Sequence, residues 1–214
     1  MRNTLAVKDA RRTTSGRRSG QRFDAEHGVV TEALLFLGEL DPDAIGAAME
    51  DATHYEPTPV YEFSALLRAV PEPLEGFAFV DIGAGMGRVV MLASTRPFRQ
   101  AVGVEVSGAL CETARDNLVR WRRAQDDLAC KDLRIVCADA AAYDFPKGHL
   151  VAYLYNPFGE NTLRRIAETL AARTSGACYV LYHTPVHRAV LDTDARFELV
   201  ADLQFGAVYR LRVA

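Results

Sequence analysis

The run Val80-Asp81-Ile82-Gly83-Ala84-Gly85-Met86-Gly87-Arg88 joins a short apolar stretch to a helical pattern. Glycines at such a corner let the chain turn sharply and bring backbone N–H groups against a ligand with no Cβ in the way. The positive end of the helix that follows favours an anionic group. The next apolar stretch ends on Glu105, where a carboxylate can accept both hydroxyls of a ribose. Charge-assisted hydrogen bonds of that kind contribute roughly 1.5–3 kcal/mol each. Asp139 follows a third apolar stretch, in Val136-Cys137-Ala138-Asp139-Ala140, and Asn156-Pro157-Phe158 follows a fourth. Polar residues at the carboxyl ends of successive strands mark the ligand crevice of an open α/β sheet.

The elements that must position these residues are legible in the same way. Phe77–Ile82, Ala101–Val104, Leu133–Val136, Leu150–Tyr155 and Ala177–Tyr182 are short apolar runs, as strands buried on both faces should be. They alternate with helical patterns over Arg88–Ser94, Gly108–Arg120 and Thr162–Ala172, which predicts βαβ crossovers and a parallel sheet. Phe197–Phe205 and Ala207–Val213 are separated only by Gly206, a spacing that permits a hairpin and forbids a parallel crossover. The expectation is an α/β fold of seven strands, five parallel and two in a closing antiparallel hairpin.

Upstream, a helix is predicted from about residue 29, with Val30, Ala33, Leu34 and Leu37 on one face and a stop at Gly38. A short helix follows Asp41-Pro42, with Asp41 as its N-cap. A third enters at Thr58-Pro59, runs through Val70 and is ended by Pro71 and Pro73. The chain thus divides into a basic tail over 1–22, expected to be disordered, a helical N-terminal cap over 23–74 and a cofactor-binding core over 75–214.

Composition narrows the function classes. Of the 214 residues 49% are hydrophobic and 25% charged, the balance of a globular protein with a full core and not of a disordered chain. No apolar run approaches the ~18 residues of a membrane span, and the polar, arginine-rich start lacks the apolar region of a secretory signal. A cytoplasmic protein is expected, with Cys111, Cys130, Cys137 and Cys178 as reduced thiols. Residues 1–28 hold seven bases against three acids, or +4, which leaves −7 on the remainder of a chain whose net charge is −3. The tail offers a contact for RNA or another acidic partner, but an acidic body does not suit a protein that grips phosphate backbones. His183 and His187 are four apart with Pro185 between them and no third ligand in view, so no metal site is expected.

Two cofactors fit a nucleoside on such a strand, NAD(P) and S-adenosyl-L-methionine. The dinucleotide fingerprint G-x-G-x-x-G requires glycine at position 88, which is Arg88, and roughly 75 residues precede the first core strand. The spacing Asp-x-Gly-x-Gly-x-Gly, with an acid ending the next strand, resembles the class I S-adenosylmethionine-dependent methyltransferases over about residues 55–213. That resemblance implies a Rossmann-like, doubly wound, mostly parallel sheet. It implies that Asp81, Gly83 and Gly85 line the methionine end of the cofactor and that Gly87 closes the loop. Glu105 would hold the ribose and Asp139 the adenine amine. Asn156-Pro157-Phe158 falls where the family places its acceptor-side motif, with Asn156 also near the cofactor. Tyr55-Glu56-Pro57-Thr58-Pro59 is similar to the helix entry that packs over the cofactor in Dot1-like and related protein-lysine methyltransferases, which makes Tyr55 and Thr58 cofactor contacts. Phe23 to Val29 would form a lid.

Structural readings stand beside these roles. Asp139 also suits a turn or N-cap, Arg88 equally a surface ion pair or a ligand contact, and Trp121 helix packing. His183 and Asp24 are candidate bases by position. Amino methyltransferases of this fold carry Asn/Asp-Pro-Pro-aromatic, whereas Asn156-Pro157-Phe158 has one proline, which points away from adenine-N6 and glutamine-amide acceptors. The expected function is methyl transfer to nitrogen on a protein side chain or an amine metabolite. The alternatives are a cofactor-binding module that acts through a partner without turnover, and an NAD(P)-dependent oxidoreductase.

Overall fold

A computed structural model of the chain describes residues 21–32, 35–36, 54–155, 159–173 and 175–212. Its N-terminal part departs from the hydrophobic periodicity. Residues 21–27 form helix α1, residues 29–32 are not helical, and β1 (Leu35–Phe36) pairs antiparallel with β2 (His54–Tyr55). The helix expected from residue 29 is therefore replaced. Side chains satisfy the backbone there in place of a helical ladder: the Asp24 carboxylate accepts from the N–H groups of Thr31 and Glu32, and the Asn117 amide brackets the N–H and C=O of Val30. The helix predicted after Asp41-Pro42 and the tail over 1–20 lie outside the described residues.

Helix α2 (Val60–Arg68) starts one position later than the Thr58-Pro59 pattern suggests. Pro59 is its N-cap, and the Thr58 hydroxyl bonds the Tyr153 hydroxyl at 2.8 Å instead of capping. Strands β3 (Ala78–Ile82), β4 (Gln100–Glu105), β5 (Leu133–Cys137), β6 (Leu150–Tyr155) and β7 (Cys178–His183) are parallel, as their apolar runs require. β8 (Phe197–Leu203) and β9 (Gly206–Leu211) form the antiparallel hairpin, with β9 inserted beside β7. The sheet order is β5-β4-β3-β6-β7-β9-β8. Gly206 belongs to β9 and is not the turn: a Cβ there would lie 2.8 Å from the Tyr182 carbonyl oxygen.

Two apolar layers cover the sheet. Phe23 of α1 and the buried sides of α2, α3 (Arg88–Ser94) and α4 (Gly108–Ala124) pack on one face. Helices α5 (Glu160–Ala171) and α6 (Ala189–Asp192) pack on the other. In α4 the buried stripe Leu110, Cys111, Ala114, Asn117, Leu118 and Trp121 follows the helical period. Trp121 is a packing residue: its indole N–H donates to Ser94 Oγ at 2.9 Å and its ring stacks on Phe23.

Gly103 in the centre of β4 is a packing requirement. A Cβ there would meet Ala84 Cβ at 2.7 Å and Val90 Cγ2 and Ile135 Cδ1 at 2.9 Å. Overpacking of a close-fitted core costs typically 1–3 kcal/mol. Gly103→Val is expected to lower the thermal unfolding midpoint by roughly 2–10 °C, which calorimetry measures directly.

Candidate cofactor site

The chain runs from β3 outward through β4 to β5, then returns to lay β6 on the other side of β3. A crevice opens at the carboxyl ends of the strands where the winding reverses, and ligands of open α/β sheets bind there. Asp81 and Gly83 stand at that end of β3, and Tyr155 ends β6 beside it.

The corner after β3 is built as its glycines predict. Gly83, Gly85 and Gly87 have φ of 78°, 52° and 83°, backbone conformations that residues with a Cβ rarely adopt. The N–H groups of Gly83 and Ala84 both donate to the Val104 carbonyl, tying the loop to the end of β4. Glu105 completes the tie. One of its carboxylate oxygens accepts the Gly85 N–H at 2.8 Å and the other the Ser107 N–H at 2.9 Å. Ser107 in turn caps α4 by accepting the Leu110 N–H. Sequence reasoning missed Ser107, although a serine just before a helical pattern is an N-cap signal. Burial raises the Glu105 pKa, and the backbone N–H groups of Ser107, Gly85 and Val106 pull it back. A carboxylate has about four lone-pair sites, so these bonds leave capacity for a ligand.

Asp81 is different. It is 3% exposed, and among the described residues no hydrogen bond reaches its carboxyl group. Burial, and then the nearby Glu105 charge, raise its pKa well above the ordinary aspartate value. A buried carboxyl group without a partner is costly, and such groups cluster at functional sites. Two acids at adjacent strand ends, one bonded and one bare, beneath a glycine loop suit a ligand that is cationic at one end and carries hydroxyls nearby.

The other sequence candidates divide. Asp139 lies just beyond β5, whose end is bonded to β4 through the Ala138 N–H and the Glu105 carbonyl. Its Oδ1 accepts the Ala141 N–H at 2.9 Å and caps the short 3₁₀ turn Ala140–Ala142, as the structural reading has it. Thr58 is buried and bonded to Tyr153. Tyr55 lies in β2, with its side chain outside the described residues, and Asn156, Pro157 and Phe158 lie outside them altogether. His183 is fully buried at the end of β7, with Nε2 2.5 Å from Glu62 Oε2. His187 bonds the Tyr182 hydroxyl through its backbone N–H, and among the described residues no cluster of metal-ligating side chains forms.

Three expectations are corrected. Arg88 makes no surface pair: it is 2% exposed and its guanidinium bonds Thr31 at 2.6 Å, Glu32 at 3.0 Å and Asp24 at 3.4 Å. Asp24 is consequently not placed as a base, because its oxygens are engaged by Thr31, Glu32 and Arg88. The Phe23–Val29 segment is a brace in this structure, not a free lid. Phe23 stacks on Trp121 with the Arg88 guanidinium 5.4 Å from its ring centroid, and Asn117 joins Val30 to the Met86 carbonyl of the glycine loop.

No family model and no curated protein sequence matches the chain. Solved structures do match it in fold. A putative methyltransferase, yhhF, from Escherichia coli has 19% identity over 74% of this chain and 89% of that one, with a TM-score of 0.56. A putative RNA methyltransferase from Pyrococcus horikoshii has 18% identity over 73% and 86%, with a TM-score of 0.53. The 23S rRNA methyltransferase ErmE has 14% identity over 75% and 70%, with a TM-score of 0.51. The fold is that of the class I S-adenosylmethionine-dependent methyltransferases. No helix among the described residues is long and apolar enough to cross a membrane.

Proposed function

We propose that the protein is an S-adenosylmethionine-dependent methyltransferase that acts on a nitrogen of a protein side chain or an amine metabolite. The observation that carries this reading is Asp81, a buried acid that no hydrogen bond reaches among the described residues, beside Glu105 and under a glycine loop at the switch point of the sheet. The cofactor suits that pair, because its methionine end carries positive charge and its ribose carries two hydroxyls. In this reading Asp81 faces the cationic end, with Gly83 and Gly85 against it, and Gly87 closes the loop. The remaining lone-pair capacity of Glu105 takes the ribose hydroxyls, and Asp139, at the neighbouring strand end, takes the adenine amine. Tyr55 and Thr58 cover the cofactor, and Asn156-Pro157-Phe158 positions the acceptor.

When bound, the sulfonium supplies an already activated methyl group. What remains for the protein is orientation and exclusion of water, which can lower a barrier by roughly 7–11 kcal/mol. Two of the fold neighbours are named as RNA methyltransferases. The −7 charge of this chain beyond residue 28 supports a protein or small amine over a polyanion.

Incubating the protein with methyl-labelled S-adenosylmethionine and a cell lysate tests the reading. Transfer of label to protein or to small amines is the expected result. Cofactor binding with no product in any fraction would instead favour a module without turnover. Glu105→Ala is expected to weaken S-adenosylhomocysteine binding by about 1.5–3 kcal/mol, measured by calorimetric titration.

A further inference from the structure

The acceptor side of the crevice carries a second built group. β7 is two strands from β3, with β6 between them, so its end lies roughly 10 Å from that of β3. In register, Tyr153 of β6 lies opposite Asp81, and Tyr155 lies opposite His183. His183 ends β7 with no solvent exposure. Its Nε2–H donates to Glu62 Oε2 at 2.5 Å, and the Thr184 hydroxyl lies 3.5 Å from its Nδ1. Glu62 comes from the first turn of α2, 121 residues earlier in the chain, and its side chain is 17% exposed. The carboxylate thus stands between a buried imidazole and the surface.

Three further observations surround it. Thr184, directly after His183, has a φ of 46°, the one positive-φ residue other than glycine among the described residues. Strain of this kind concentrates at functional sites. Aromatic rings flank the histidine: Tyr155 is edge-on to His183 at 4.1 Å, and Phe205 lies 6.1 Å from His183 and 6.2 Å from Tyr61, which is 70% exposed. Burial raises the Tyr153 phenol well above its usual range, and the Asp81 and Glu62 carboxylates add to that rise. Tyr153 therefore stands near both acids, one at the cofactor end and one toward the acceptor.

We propose that Glu62, held in place by His183, binds a protonated aliphatic amine as the methyl acceptor and removes its proton. This rests on the reading of the site as a methyltransferase and narrows the acceptor to an ammonium group. A partly exposed carboxylate, bonded to a histidine that aromatic rings surround, is chemistry for a cation. An ammonium ion has no lone pair, so a base must take its proton before transfer. One proton passes from the R–NH₃⁺ group to the Glu62 carboxylate, leaving R–NH₂ and a carboxylic acid. The amine lone pair then forms the N–C bond as the S–C bond breaks, and the bonding electron pair of S–C stays on sulfur. The products are R–NH₂CH₃⁺ and a neutral thioether, with the proton on Glu62 returning to solvent. His183 is a positioning residue in this scheme.

The test uses the full chain, with Glu62→Gln as the nearly isosteric variant and Glu62→Asp as the conservative one. Two readouts are taken: calorimetric affinity for S-adenosylhomocysteine, and the rate of label transfer from methyl-labelled S-adenosylmethionine to lysate fractions. One portion of each fraction has its amines acetylated by acetic anhydride beforehand. The expected result is unchanged S-adenosylhomocysteine affinity in both variants and transfer at least 100-fold slower in Glu62→Gln, with partial rescue in Glu62→Asp. Acetylation should reduce wild-type labelling at least 10-fold. Wild-type transfer rates in Glu62→Gln, label carried by RNA, insensitivity to acetylation or loss of S-adenosylhomocysteine affinity in Glu62→Gln each overturn the inference. A wild type that binds no S-adenosylhomocysteine overturns the methyltransferase reading itself, and the inference falls with it.

Discussion

Replacing Arg88 by methionine lowers the stability of the protein by about 3–5 kcal/mol, the largest loss expected from a single substitution. The guanidinium is buried with Asp24 and Glu32, whose side chains are 14% and 10% exposed. Methionine fills much of the volume of the arginine stem but leaves both carboxylates facing each other without their cation. For a chain of this length each kcal/mol shifts the midpoint by roughly 2–4 °C, so thermal unfolding should fall by about 6–20 °C. A companion variant, Arg88→Met with Asp24→Asn and Glu32→Gln, should recover part of that loss, because it removes the stranded charges. A single variant within 1 °C of the wild type would show that the cluster does not hold the N-terminal brace.

The second large effect concerns Asp81 and has opposite signs for binding and stability. Asp81→Asn keeps the shape but cannot carry charge. Removing one member of a buried charge pair costs about 2–5 kcal/mol of binding, so S-adenosylmethionine should bind from tens-fold to thousands-fold more weakly. The free protein should gain stability at pH 8. The Asp81 pKa is raised above 3.8, so the folded state holds its proton more tightly than the unfolded chain does. Through the window between 3.8 and the raised value, the folded state is the better proton binder, and stability falls as pH rises. Above that window the penalty is fully present. The Asp81→Asn substitution removes it, so the difference between the wild-type and variant unfolding curves should widen from pH 4 upward in the variant's favour. Identical pH profiles would mean that the Asp81 carboxyl is not destabilised by its burial.

Much of this site was legible before the structure because its signals are local. Three glycines within five residues announced a corner with left-handed backbone, and all three adopt it. Asp81 and Glu105 were placed by ending apolar runs, which only buried parallel strands explain. The closing hairpin was legible from loop length. What was not legible depends on partners far along the chain. Arg88 read equally as a surface ion pair or a ligand contact because its partners Thr31, Glu32 and Asp24 are 56 to 64 residues away. The helical periodicity after residue 29 was overridden by Asp24 and by Asn117, the latter 87 residues distant. Glu62 carried no signal at all in a helix with one exposed face, since only the fold brings it to His183.

The most direct test of the account is thermal unfolding of the purified protein alone and with S-adenosylmethionine, S-adenosylhomocysteine or NADH. A ligand at 100 times its dissociation constant stabilises by about 2.7 kcal/mol, or roughly 5–10 °C here. The account predicts that shift with both adenosyl compounds, none with NADH, and little with any ligand in Asp81→Asn. A shift with NADH alone would contradict it, and so would an unchanged adenosyl response in Asp81→Asn.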